Sequence, residues 1–201
     1  MNDNIHILKC DTCEICVPTK DIILYSGCRQ STDEMLCSLS EEALKELREA
    51  VNLKAVYTKV SVEFDGDLAD FGFCKHESAS IRKFLGGDCE AYIFAATLGI
   101  GADRLIARYS SILPSRAVIT DGCATAFIEC WCDYICKEIF RTQAQARFSP
   151  GYGDLPLSMQ TDLLTHLNAS LHIGLAMTDS FLLTPTKSVT AIVKVPDGQK
   201  D

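Results

Sequence analysis

No apolar run in this 201-residue chain approaches the ~20 residues that a helix needs to cross a bilayer. Met1–Lys9 has no basic region followed by an apolar stretch, so no signal peptide is expected and the chain reads as cytoplasmic. Basic residues are scarce. Nineteen Lys and Arg stand against 27 Asp and Glu, and the net charge of −8 disfavours nucleic acid and anionic membranes as partners. A cationic ligand or a basic protein patch would be tolerated. Internal repeats and low-complexity linkers are missing, and the ordinary counts of 12 Gly and 6 Pro argue against disorder. Catalytic signatures are missing too. No Ser/His/Asp arrangement can be argued from residue order, and His76, His166 and His172 show no metal spacing with one another. Gly99-Ile100-Gly101 lacks both the third glycine of a dinucleotide fingerprint and the lysine of a P-loop, which leaves a structural turn.

What the chain does have is enough apolar residue, 47%, to bury a core without staples. It also has eleven cysteines, an odd number that cannot pair completely within one chain. In a reducing compartment most of them are expected to act as small buried hydrophobes. Cys123, Cys130, Cys132 and Cys136 share one helix at a spacing that suits core packing. Cys10, Cys13 and Cys16 differ, because their Cys-x-x-Cys-x-x-Cys spacing matches the first three ligands of a ferredoxin-type run. With Cys28 as a fourth ligand, an iron–sulfur cluster or zinc is conceivable; a surface loop is the plainer reading.

Periodicity places the elements. Ala43, Leu44, Leu47 and Val51 follow helical spacing after Ser40-Glu41-Glu42, and Ser31–Glu34 suggests an earlier turn of the same region. From Ala55 the period becomes two: Val56, Thr58, Val60, Val62 and Phe64 share one face, which predicts a half-buried strand ending at Asp65-Gly66. A short strand around Leu68–Phe73, a helix around Ser78–Leu85, a strand Glu90–Thr97, a helix Ala102–Leu113 and a long helix Arg116–Arg141 follow. Ser158–Leu167 reads as helical, and Gly174–Leu183 with Ser188–Val195 as a closing hairpin. Strands and helices do not alternate regularly, so the class is α+β rather than doubly wound. The expected division is an N-terminal cysteine-containing and helical segment, 1–53, packed on a core of 54–201.

The segment Arg147-Phe148-Ser149-Pro150-Gly151-Tyr152-Gly153-Asp154 stands out. Pro150 sets one backbone angle, and Gly151 and Gly153 permit turns and close approach of a ligand to the main chain. Arg147 offers a rigid fork suited to a carboxylate, and Tyr152 an aromatic face with a hydroxyl. These tools fit a zwitterionic ligand with a flat ring. They also fit a purely structural loop.

Arg147–Asp154 resembles the Arg-x-x-x-Gly-Tyr signature of the activation domain of cobalamin-dependent methionine synthase. The blocks Phe94–Arg104, Ile173–Phe181 and Pro185–Val189 resemble further segments of that family in the same order, so the likeness spans about Lys54–Val195. The resemblance implies a twisted antiparallel sheet flanked by helices, in a stand-alone form of the domain. It implies an accessory subunit that binds S-adenosylmethionine as methyl donor to cob(II)alamin after one-electron reduction. The cobalamin would sit on a partner, methionine synthase or another corrinoid protein, with a flavodoxin-like reductant; the chain alone would show little methyltransferase activity. On matching positions Arg147 would hold the methionine carboxylate, with the main chain at Ser149 and the side chain of Tyr152 completing the contact and Gly151 counted among the cofactor-binding residues. An acidic family contact on the long helix falls at Thr125, with Glu129 one turn away. The competing expectations are an electron-transfer module built on Cys10, Cys13, Cys16 and Cys28, and a scaffold that binds a corrinoid protein without nucleotide.

Overall fold

The computed structural model describes residues 5–28, 34–143 and 147–196. Ser31–Asp33, part of the early-turn expectation, lie outside the described residues. In chain order the strands are β1 (His6–Lys9), β2 (Lys54–Asp65), β3 (Leu68–Asp70), β4 (Lys75–Glu77), β5 (Cys89–Thr97), β6 (Ala176–Met177), β7 (Leu183–Thr184) and β8 (Ser188–Lys194). The helices are α1 (Thr19–Tyr25), α2 (Glu34–Ala50), α3 (Ala79–Leu85), α4 (Ile100–Ile112), α5 (Pro114–Tyr134), α6 (Met159–His166) and α7 (Ala169–Ile173).

The main sheet runs β4-β3-β2-β5-β8, all antiparallel, with β1 added beside the start of β2. It curls into a half-barrel. Helices cover both faces. On one, Ala55, Phe94, Ala96, Ala191 and Val193 meet Leu47, Phe127, Trp131 and Phe140 from the α2–α5 side. On the other, Val56, Val60, Val62, Ile93 and Ile192 meet Ile81, Leu85, Met159, Leu163 and Ile173 from α3, α6 and α7. The alternation in β2 therefore does not mark a wet face along its whole length. Tyr57, on the expected polar side, packs edge-on to Phe140 with ring centroids 5.1 Å apart. Alternation distinguishes two faces, but it does not say that only one is covered.

The closing hairpin is corrected by the sheet order. Ser188–Lys194 pairs with β5, in register Ser188↔Thr97 to Lys194↔Ala91, while β6 and β7 form a separate two-stranded ribbon. The apolar run Val189–Val193 is nearly continuous, and strands buried on both faces favour an interior sheet position. The long helix keeps α-helical bonding from Pro114 to Tyr134 and then passes into a π-helical turn, Ile135–Ile139. Two glycines bring helices together. A Cβ on Gly101 would lie 1.8 Å from the Ala50 carbonyl oxygen, and one on Gly122 would lie 2.2 Å from Ser26 Oγ. Gly101 is thus a packing glycine inside α4, against the end of α2, rather than part of a turn, and Gly122 seats the end of α1 against α5.

Candidate functional site

The segment after α5 returns to the sheet at Phe148, which exchanges two 2.8 Å backbone hydrogen bonds with Ile192 of β8. That pairing sets Arg147 and Ser149 beside the strand. The chain then turns back on itself: the Tyr152 N–H donates to the Ser149 carbonyl at 3.1 Å and the Gly151 N–H to the Leu155 carbonyl at 2.9 Å. Gly151 and Gly153 adopt φ of +89° and +57°, conformations that carry a steric cost for any side chain with a Cβ. Gly153 also passes so close to α3 that a Cβ would lie 2.3 Å from Ser80 Oγ. Asp154 ends the loop by accepting the Ser78 hydroxyl and the N–H groups of Ala79 (2.9 Å) and Ser80 (3.1 Å) at the start of α3. Those bonds, the Ser78 hydroxyl first, hold its carboxyl down at about 2.

Between this loop, β8, α5 and the end of α1 opens a cleft of about 460 Å³, within the range of small-molecule sites. Arg147, Ser149, Tyr152, Glu129, Tyr25, Gln160 and residues 188–190 line it. The Arg147 side chain is only 10% exposed, and its fork is engaged by Asp133 at Nη1 and Glu129 at Nη2. Burial works against the guanidinium's charge. The surrounding Cys132, Asp133 and Glu129 outweigh it and raise the group above its ordinary range. Glu129 and Asp133 are four residues apart on α5 and so share one face. Tyr152 is 59% exposed at the mouth, edge-on to Phe148. Gln160 is buried, donating to the Phe181 carbonyl at 3.1 Å and accepting from the Thr190 hydroxyl at 3.3 Å. One guanidinium faces two carboxylates here, so these three groups carry a net single negative charge.

The structure therefore gathers Arg147, Ser149, Tyr152 and Glu129 into one cleft, with Gly151 shaping the turn. Thr125 lies one turn earlier on α5 and does not line the cleft. Its hydroxyl donates to the Asp121 carbonyl at 2.9 Å and accepts from Lys187 Nζ at 2.9 Å, while Lys187 pairs with Asp121 at 2.8 Å. Sequence reading missed Asp133, Tyr25 and Gln160. The first had a signal, the i, i+4 spacing from Glu129. The other two come from helices whose approach to the loop is a tertiary matter.

The thiols of Cys10, Cys13, Cys16 and Cys28 are not drawn together. Among the described residues, only Cys74, His76 and Asp162 place three ligand atoms within 4.8 Å of one another. The 10–16 stretch is organised by other bonds. Asp11 caps a short 3-10 turn, Thr12–Glu14, accepting the Cys13 N–H at 3.0 Å, and Arg48 of α2 donates to the Thr12 and Ile15 carbonyls, the latter at 2.7 Å. Burial, then Glu14, pushes the Cys10 thiol up to about 11, and the Asp11 hydrogen bond raises that of Cys13. Cys123, Cys132 and Cys136 are buried, in keeping with their packing role. Among the described residues no helix is long and apolar enough to cross a membrane.

A curled antiparallel half-barrel with helices on both faces defines a known fold. It is the fold of the reactivation domain of MetH. A crystal structure of that domain with AdoHcy bound aligns over 98% of this chain and 80% of its own, with a TM-score of 0.72 at 14% identity. No protein-family model matches the chain. No curated protein matches it by sequence.

Proposed function

We propose that this chain binds S-adenosylmethionine in the cleft beside β8 and serves as an accessory subunit that reactivates cobalamin-dependent methionine synthase, or a related corrinoid protein, in trans. One observation carries the reading: Arg147, Ser149 and Tyr152 converge with Glu129 in a single cleft, on the fold of a domain solved with AdoHcy bound. The charge balance agrees. A cleft with one guanidinium and two carboxylates suits a ligand with one carboxylate and two cationic groups, the ammonium and the sulfonium.

The methyl donor and the partner's corrinoid supply the transfer chemistry, after one-electron reduction by a flavodoxin-like donor; the protein binds and orients. Arg147 releases one helix carboxylate to take the carboxylate of the ligand, so one charged pair replaces another and the guanidinium is never left bare. The freed Glu129 or Asp133 then faces the ligand's cationic groups. Tyr152, exposed at the mouth, gives its ring to the flat base.

Calorimetric titration of S-adenosylmethionine into wild-type protein and Arg147→Ala tests this. Saturable binding is expected, weakened in the variant by about 1.5–3 kcal/mol, the scale of a charged hydrogen bond. Failure of wild type to bind, alone and with a corrinoid protein present, would sink the proposal. Partner binding that persists without nucleotide would then identify a scaffold.

A further inference from the structure

A second group of side chains lies outside the cleft. Cys74 closes the turn after β3, where the Phe71 N–H donates to the Cys74 carbonyl at 3.0 Å, and His76 follows two residues on in β4. Side chains two apart on an extended chain point the same way, so thiol and imidazole face the same side. There α6 presents Asp162 in its first turn. His76 Nε2 lies 2.9 Å from Asp162 Oδ2, and one ligand atom from each of the three lies within 4.8 Å of the others. All three residues are half-buried. Phe73 stacks on His166, four residues beyond Asp162 on α6, at 4.1 Å between centroids, which gives the group an apolar flank.

We propose that Cys74, His76 and Asp162 form a zinc site that joins the β3–β4 hairpin to α6. The donor set decides the ion. Sulfur, nitrogen and one carboxylate suit Zn²⁺, whereas Mg²⁺ and Ca²⁺ call for oxygen throughout. Zinc ligands at about 2.0–2.3 Å from the metal stand roughly 3–4 Å from one another in a tetrahedron. The His76–Asp162 contact therefore needs to open by less than about 1 Å. Zinc binds the Cys74 sulfur as a thiolate, so uptake of the ion releases the thiol proton. Three protein ligands leave a fourth position for water. The ion would clamp the hairpin to the helix that carries Gln160 into the cleft. The proposal is independent of the nucleotide reading above.

The test uses the full chain, reduced and stripped by a chelator, titrated with Co²⁺ and then Zn²⁺. One equivalent of Co²⁺ should give a thiolate-to-cobalt charge-transfer band that Zn²⁺ discharges. Cys74→Ser should abolish the band and weaken Zn²⁺ binding by more than about 10-fold, the least that even a supporting residue at a metal site is worth. Asp162→Asn, which keeps the side-chain shape, should weaken it comparably, with circular dichroism confirming that both variants fold. Cys10→Ser/Cys13→Ser/Cys16→Ser should bind as wild type does. The proposal is overturned if wild type takes up no stoichiometric ion. A band that survives Cys74→Ser, or one lost with the N-terminal thiols, overturns it equally.

Discussion

The two ends of the loop Arg147–Asp154 carry opposite charges and meet opposite kinds of partner. At one end Arg147 is buried against the side-chain carboxylates of Glu129 and Asp133. At the other, exposed Asp154 accepts the Ser78 hydroxyl and the first N–H groups of α3. The difference matters because of what could take each partner's place. A ligand carboxylate can replace a helix carboxylate on Arg147 at little cost, since the exchange conserves charge and hydrogen bonds. Nothing in the cleft can replace Asp154, whose partners are the N–H groups that any helix leaves open at its start. On the proposed function one end exchanges its partner and the other keeps it.

The largest expected effect comes from stripping the exchanging end. Glu129→Gln with Asp133→Asn leaves a buried guanidinium without a countercharge. We expect a loss of about 2 kcal/mol in chemical denaturation, below the 3–5 of a fully buried pair because both carboxylates keep water contact. Adding Arg147→Met should recover most of that loss. If the double variant is as stable as wild type, the fork is not an ion-pair anchor and the contrast between the ends fails.

Next is the hinge between them. Gly153→Ala puts a Cβ within 2.3 Å of Ser80 Oγ at a φ of +57°. It should cost roughly 1–2 kcal/mol, the sum of strain and displacement. It should also weaken ligand binding, because the loop must lift from α3. Undiminished stability would mean that the loop is not held there.

The smallest effect belongs to the staying end and is best read against pH. The Asp154 carboxyl is held at about 2 in the folded state, against an ordinary 3.8. Its contribution is therefore complete above the ordinary value and disappears as pH falls toward 2. Wild type should lose a small increment of melting temperature over that window. Asp154→Asn should start lower at neutral pH and converge on wild type by the acid end. Parallel curves would show that the carboxylate's charge is not what holds α3.

Much of the fold could be read from periodicity. The helices Ala43–Val51 and Ser78–Leu85, the long strand from Ala55 and the strand up to Thr97 all declared themselves, because local burial patterns repeat at 3.6 or 2 residues. The partner of Ser188–Val195 did not. A strand's pattern says that it is buried but not by which neighbour, and β5 lies about ninety residues away. The two-residue β7 and five-residue α7 are too short for any period to appear. The site divided in the same way. Arg147, Ser149, Gly151 and Tyr152 sit together in the chain, so their grouping in one loop was legible there. Thr125 lies one helical turn before Glu129, outside the lining of the cleft. Cys10, Cys13 and Cys16 had the spacing of ligands, yet spacing alone does not turn thiols toward a common point; here Asp11 and Arg48 arrange the backbone for a turn instead.

By itself, then, the sequence determined the α+β composition, the main core-forming stretches and the tight glycine-bearing loop Arg147–Asp154. Each depends on residues adjacent in the chain or one period apart. Only the tertiary structure decided that Arg147 meets Glu129 and Asp133, that Gln160 closes one wall of the cleft, and that Cys74 and His76 meet Asp162 from a helix 86 residues further on. Those contacts follow from how the two helical layers settle on a curled sheet. That arrangement is set by packing volume and by close approach at Gly101 and Gly122, which no local pattern records.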